Sequence, residues 1–228
     1  IGFANAREGA PLFYTHPVPV PDTDVMAVDR YLSILPHLGV PVPERVTWDL
    51  VIPDADRARA DRSLPDGPFA VLNPNTRWET KRWSEEGFAA VARLLMERHG
   101  LPSVVVGAPS ERERGERIAA LSRGTATNLS GEGGFGLLAA ILSRSEGLVT
   151  NDSGPMHLAV AVGAPVVALF GPTHAGRTGP YGPGHRIVSV DCDRSPCYKR
   201  TCPKGLVCLD SVSPEQVADA WASLHAGA

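Results

Sequence analysis

From Gly67 onward, short apolar runs alternate with amphipathic stretches of helical period, and each of four apolar runs ends in a polar turn. Residues 69–72 run into Asn73-Pro74-Asn75-Thr76, 103–106 into Gly107-Ala108-Pro109-Ser110, 147–150 into Asn151-Asp152-Ser153-Gly154, and 165–170 into Gly171-Pro172-Thr173. Between them the spacing predicts helices over 84–99, capped by Ser84 with Phe88, Val91, Ala92 and Leu95 on one face, and over 111–122, with Ile118 and Leu121 inward. Further helices are expected over 136–143, 155–162 and 214–224, and further strands over 127–129 and 186–190. Strands alternating with helices in this way imply an α/β fold, a mostly parallel sheet with helices on both faces. The near-continuous apolar runs 104–106 and 166–170 agree, since a strand covered on both faces need not alternate. Such sheets bind ligands at the carboxyl ends of their strands, so the four polar turns are expected to share one rim.

Residues 1–66 read differently. They are proline-rich, with one helix expected over 23–38, its last turn shortened at Pro36, a short strand over 48–52 and a polar helix over 55–63. This region is taken as the end of a preceding domain plus a linker, and 67–228 as the ligand-binding domain. The first residue, Ile1, is not an initiator methionine, which fits a chain that starts partway through a longer protein. A chain of 228 residues, 43% hydrophobic and 21% charged, suits a soluble globular protein. A net charge of −3 gives no sign of a nucleic-acid surface. The longest apolar run, 158–170, is too short to span a bilayer and is broken by Gly163 and Pro165, and no secretory signal opens the chain. Four cysteines confined to 192–208 do not resemble a secreted disulfide scaffold, which points to a reducing cytoplasm.

The stretch 148–158 reads as a buried strand, a tight polar turn and the first turn of a helix, with Asp152 or Ser153 as N-cap and Pro155 suited to the first helical position. Backbone N–H groups and a helix dipole converging there favour an anion, phosphate above all, although any strand-to-helix turn also needs a cap and a glycine. In the first loop Thr76, Arg77, Lys81 and Arg82 combine hydroxyls with cations: Lys81 as a point charge, Arg77 or Arg82 as a fork. The alternative is a solvated basic loop over a packed Trp83. Glu111 stands where a carboxylate can accept both hydroxyls of a ribose, or where it simply complements a helix dipole. His157 reaches toward the rim or packs as an ordinary helical histidine, and Thr173 is placed to help hold a ligand. The loop 171–184 is expected to act as a flap, and 131–134 as a flexible loop. No Gly-x-Gly-x-x-Gly or Walker loop is present, nor a serine nucleophile elbow. Cys192, Cys197, Cys202 and Cys208, separated by four, four and five residues, are either a structural zinc or iron site, buried thiols, or adventitious disulfides. Lys199, Arg200 and Lys204 beside them are expected to lower the thiol pKa values.

Four segments resemble the ADP-heptose:lipopolysaccharide heptosyltransferases, glycosyltransferase family 9. They are Thr76 with Lys81-Arg82-Trp83-Ser84; Val105-Val106-Gly107-Ala108-Pro109 with Glu111; Thr150-Asn151-Asp152-Ser153-Gly154-Pro155-Met156-His157-Leu158 continuing to 167–173; and Ser195-Pro196-Cys197-Tyr198-Lys199-Arg200-Thr201-Cys202-Pro203, similar to the heptosyltransferase II-like branch. The resemblance implies a GT-B architecture in which this chain is the carboxyl-terminal, Rossmann-like, nucleotide-sugar-binding half. Lys81 and Thr76 would contact the diphosphate and Glu111 the ribose. The backbone at Ser153 and Gly154 would hold phosphate, with Asp152 and His157 near the donor sugar. It further implies an inverting transfer that requires no metal cofactor, from ADP-heptose to a lipid-linked saccharide acceptor. The setting would be the cytoplasm, with peripheral contact at the inner membrane. The general base is expected in the amino-terminal domain, and no residue here is assigned to it. The alternatives are a GT-B transferase using another nucleotide sugar or acceptor, and a nucleotide-binding unit without catalysis.

Overall fold

The computed structural model describes every residue except 7, 21–24, 191, 203, 206–207 and 227–228. The chain opens with a two-residue parallel pair, β1 (Gly2–Phe3) and β2 (Pro17–Val18), then α1 (Ala27–Leu32) and α2 (Asp54–Ser63). The regular part follows as β3 (Ala70–Asn73), α3 (Glu85–His99), β4 (Ser103–Val105), α4 (Arg112–Leu121), β5 (Ala126–Asn128) and α5 (Phe135–Leu142). It continues with β6 (Gly147–Asn151), α6 (Gly154–Ala161), β7 (Val166–Phe170), α7 (Ala175–Thr178), β8 (Arg186–Ser189) and α8 (Pro214–His225).

All neighbouring strands of the six-stranded sheet run parallel, in the order β5-β4-β3-β6-β7-β8. Counted within the sheet this is 3-2-1-4-5-6, and the order reverses between β3 and β6, where Asn73 lies opposite Thr150. Alternate side chains enter two cores, as the pleat requires. Leu72, Val105, Val149, Val167 and Leu169 pack with Phe88 and Leu95 of α3, Ile118 of α4 and Trp221 of α8. Val71, Val104, Leu148, Val166 and Phe170 pack on the other face with Leu137 and Ile141 of α5 and Met156 and Ala159 of α6. Burial on both faces explains why these strands read as unbroken apolar runs.

The N-cap expected at Ser84 is present: its Oγ accepts from the Gly87 amide at 3.1 Å. Elsewhere the structure departs from the sequence reading. Residues 48–52 form no strand: no neighbouring strand pairs with them, Val51 is 87% exposed, and Ile52 turns into the second core. The helix expected over 23–38 begins among residues outside the described set and otherwise splits into α1 and a 3₁₀ turn, Leu35–Leu38, because Pro36 has no N–H to continue it. Leu121, the last residue of α4, is exposed rather than inward. On the linker side of the expected boundary at 66, α2 packs against α5, and its Ala60 is fully buried. The packed unit therefore takes in α2. No helix among the described residues is long and apolar enough to cross a membrane.

Candidate functional site at the switch point

A cavity of about 1430 Å³ opens at the carboxyl ends of the strands. Thr76, Lys81, Glu111, Asp152, Ser153, Gly154, His157 and Thr173 all line it, as does Arg77, whereas Arg82 does not and donates instead to the Thr76 carbonyl at 3.3 Å.

The floor is built at the strand reversal. Asn73, at the end of β3, donates from Nδ2 to Thr150 Oγ1 (2.9 Å) and to Ser153 Oγ (2.8 Å). Asn151, at the end of β6, reaches back, donating to the Pro74 carbonyl (2.8 Å) and accepting from the Trp83 amide (3.2 Å). These two buried amides tie the first and fourth strands of the sheet together beneath the cavity.

That tie changes the start of α6. Ser153 occupies the N-cap position, yet its side chain caps nothing: its hydroxyl donates to the Asn151 carbonyl (3.2 Å) while accepting from Asn73. Asp152 does not cap the helix either, and Pro155 follows Gly154 within the first turn instead of opening it. The amides of Ser153 and Gly154 meet no hydrogen-bond acceptor among the described residues, and both residues line the cavity. A helix start with free donors and the positive end of its dipole facing a cavity is an anion site.

Lys81 and Asp152 stand beside it as an ion pair, Nζ to Oδ2 at 2.6 Å, with side chains only 16% and 7% exposed. Thr173 Oγ1 donates to the same Oδ2 at 2.6 Å, and Thr76 Oγ1 donates to the Asp152 carbonyl at 3.3 Å. The carboxylate thus fixes the position of Lys81. His157 is exposed on α6 at the cavity; partial desolvation holds its imidazole below the usual pKa, against the opposing pull of Asp152.

On the β4 side, Glu111 Oε2 accepts from the Ala108 amide at 2.7 Å, which leaves Oε1 to accept from a ligand. The turn is tight at Gly107, where a Cβ would lie 2.5 Å from Asn75 Nδ2, itself bonded to the Val106 carbonyl. Next to it rises an apolar wall from Phe135, Leu137, Leu138 and Ile141 of α5. The sequence reading expected this helix over 136–143, after a flexible loop at 131–134, but gave it no part in the site. It also missed three lining residues: Trp78, which lies in the first loop between Arg77 and Lys81, and Tyr198 and Arg200, which lie in no strand-end turn.

The cysteine segment packs by the end of β7. Cys192 and Cys208 lie against the first core, and Cys208 Sγ sits 2.9 Å from where a Cβ on Gly171 would stand. Burial, with Cys192, Cys197 and Cys202 acting in the same direction, pushes the Cys208 thiol up to about 11. This reverses, for Cys208, the lowering expected from the neighbouring cations. Lys204 pairs with Asp193 at 3.0 Å, and Arg200 turns to the ring of Trp78. Among the described residues no group of three or more His, Cys, Asp or Glu side chains is arranged as metal ligands.

Residues 1–207 match glycosyltransferase family 9 (heptosyltransferase). The chain is 35% identical over 179 residues to lipopolysaccharide heptosyltransferase 1 of Pseudomonas aeruginosa, a stretch that covers 77% of this chain and 48% of that protein. It spans about half the length of the relatives it matches. Among solved structures, the glycosyl transferase family 9 protein of Veillonella parvula superposes with a TM-score of 0.77 at 28% identity, over 93% of this chain and 64% of that one. Escherichia coli heptosyltransferase WaaC with ADP superposes with a TM-score of 0.72 at 25% identity, over 96% of this chain and 63% of that one.

Proposed function

The chain belongs to glycosyltransferase family 9, and we propose on that premise that it is the nucleotide-sugar-binding half of a heptosyltransferase, taking ADP-heptose as donor. The observation that carries this is the uncapped start of α6 beside the Lys81–Asp152–Thr173 cluster at the strand reversal. The diphosphate would lie over the Ser153 and Gly154 amides with Thr76 and Lys81 alongside. The ribose would meet Glu111, and the base would rest on the apolar wall of α5. A structure of a relative, WaaC, contains ADP, and another contains ADP-2-deoxy-2-fluoro heptose, which supports the choice of donor.

In the proposed reaction the acceptor hydroxyl attacks the anomeric carbon as the bond to the diphosphate breaks, with inversion. The residues described here serve the departing group: amides and Lys81 stabilise the charge that grows on it. Asp152 and Glu111 are both engaged in positioning, so neither is offered as the base that deprotonates the acceptor. The acceptor is a lipid-linked inner-core saccharide of lipopolysaccharide, and the setting is the cytoplasmic face of the inner membrane. Metal-independent transfer belongs to the same proposal. A structural zinc or iron, if bound, would be held by Cys192, Cys197, Cys202 and Cys208, and elemental analysis of purified protein would reveal it as one metal per chain.

Calorimetric titration with ADP, UDP and GDP tests the reading. Tighter binding of ADP is the expected result. Equal affinities, or preference for UDP or GDP, would favour a GT-B transferase with another donor.

A further inference from the structure

The Lys81 charge is already matched by Asp152 in the resting site, so a diphosphate needs positive charge from elsewhere. The cavity supplies it on the β7 side. Arg177 and Arg200 line the cavity there, as Arg77 does after β3, and none of the ion pairs among the described residues uses any of the three.

Arg200 stands apart because it is held in place. Its guanidinium lies 5.3 Å from the centroid of Trp78, and Lys81 Nζ lies 4.7 Å from the same ring. The segment bearing it is pinned to the two strand-end loops that flank the anion site. Thr80 Oγ1 donates to the Lys199 carbonyl (2.7 Å), Ser195 Oγ to the Gly171 carbonyl (2.6 Å), and the Tyr198 amide to the Pro172 carbonyl (2.7 Å). Between these anchors Tyr198 adopts φ 54, a left-handed conformation that an aromatic residue keeps only where its surroundings impose it.

The order of the site along the sheet says which part of a nucleotide Arg200 meets. Glu111 and the α5 wall lie toward β4 and β5, the α6 amides lie at β6, and Thr173 and Arg200 lie beyond, toward β7. A nucleotide with its ribose at Glu111 therefore presents its terminal phosphate to the β7 side. We propose that Arg200, carried into the cavity by the pinned segment 195–200, is a catalytic cation that binds the terminal phosphate of the nucleoside diphosphate. This rests on the donor-site reading above. The cysteine-bearing segment then serves the nucleotide site by positioning Arg200.

The test is calorimetric titration of the whole chain with ADP and with AMP, which lacks the terminal phosphate. Arg200→Ala is expected to weaken ADP about 10- to 100-fold, the loss of one charged hydrogen bond, and to change AMP less than about 2-fold. Arg200→Lys should recover part of the ADP affinity, since the charge returns without the fork. Thr80→Val, which removes one anchor of the segment while keeping the arginine itself, should weaken ADP by a smaller factor and leave AMP unchanged. If Arg200→Ala leaves ADP within 2-fold of wild type, or weakens ADP and AMP equally, the proposal is overturned while the donor site stands. If the folded wild-type chain binds neither nucleotide, the donor-site reading fails and takes this assignment with it.

Discussion

Helices α6 and α8 begin with nearly the same signal, a serine followed closely by proline, and the structure uses the two starts in opposite ways. At α8, Ser213 Oγ accepts from the Gln216 amide (3.2 Å) and Gln216 Oε1 accepts from the Ser213 amide (2.9 Å), closing a capping box. At α6 the serine hydroxyl is drawn aside by Asn73, 80 residues earlier, and the helix start is left open to the cavity. A capped start is spent on stability, and an open one is available to a ligand. The choice between them is made by a side chain on another strand.

The comparison can be broken most severely at Lys81. Lys81→Ala leaves Asp152 buried without its cation and should cost roughly 3 kcal/mol of stability in urea unfolding, together with loss of ADP affinity. Unchanged stability would mean that the pair contributes nothing to the fold. Asn73→Ala should cost about 1–3 kcal/mol, since it strips buried partners from Thr150 and Ser153. It also frees Ser153 to cap α6, so ADP should bind more weakly; unaltered ADP binding would argue against the open helix start. Ser213→Ala should cost about 1 kcal/mol with ADP binding untouched, which is the behaviour of a cap alone.

The smallest effect is expected from His157. Its folded-state pKa lies below the unfolded value, so the unfolded chain takes up the proton first. Its contribution to stability is whole above pH about 6.5 and is lost as pH falls from there through the folded-state pKa. His157→Gln should flatten part of that decline between pH 7.5 and 5.5. His185, also lowered by desolvation, should retain the rest.

The sheet was legible because strands buried on both faces leave unbroken apolar runs, and β6 and β7 were readable for that reason. The rim was legible because the polar turns follow those strands directly. The pair β1 and β2 was not: two residues carry no period, and their pairing spans 15 positions of chain. The run 48–52 misled because strand-forming residues need a neighbouring strand, which local composition cannot supply. In the site, Thr76, Lys81, Glu111, Asp152 and Thr173 announced themselves by chemical type and turn position. Trp78 and Arg200 did not, because their proximity exists only once segment 195–200 is pinned across two loops. The capping role of Ser153 was misread for the same reason, as its competitor Asn73 is distant in sequence.

The most direct test of the open helix start is a titration of the chain with inorganic pyrophosphate, following backbone amide resonances. The Ser153 and Gly154 amides should shift and saturate together, while the Gln216 amide at the capped start of α8 stays still. Equal shifts at both helix starts, or none at Ser153 and Gly154 at saturating pyrophosphate, would contradict the assignment of α6 as the anion site.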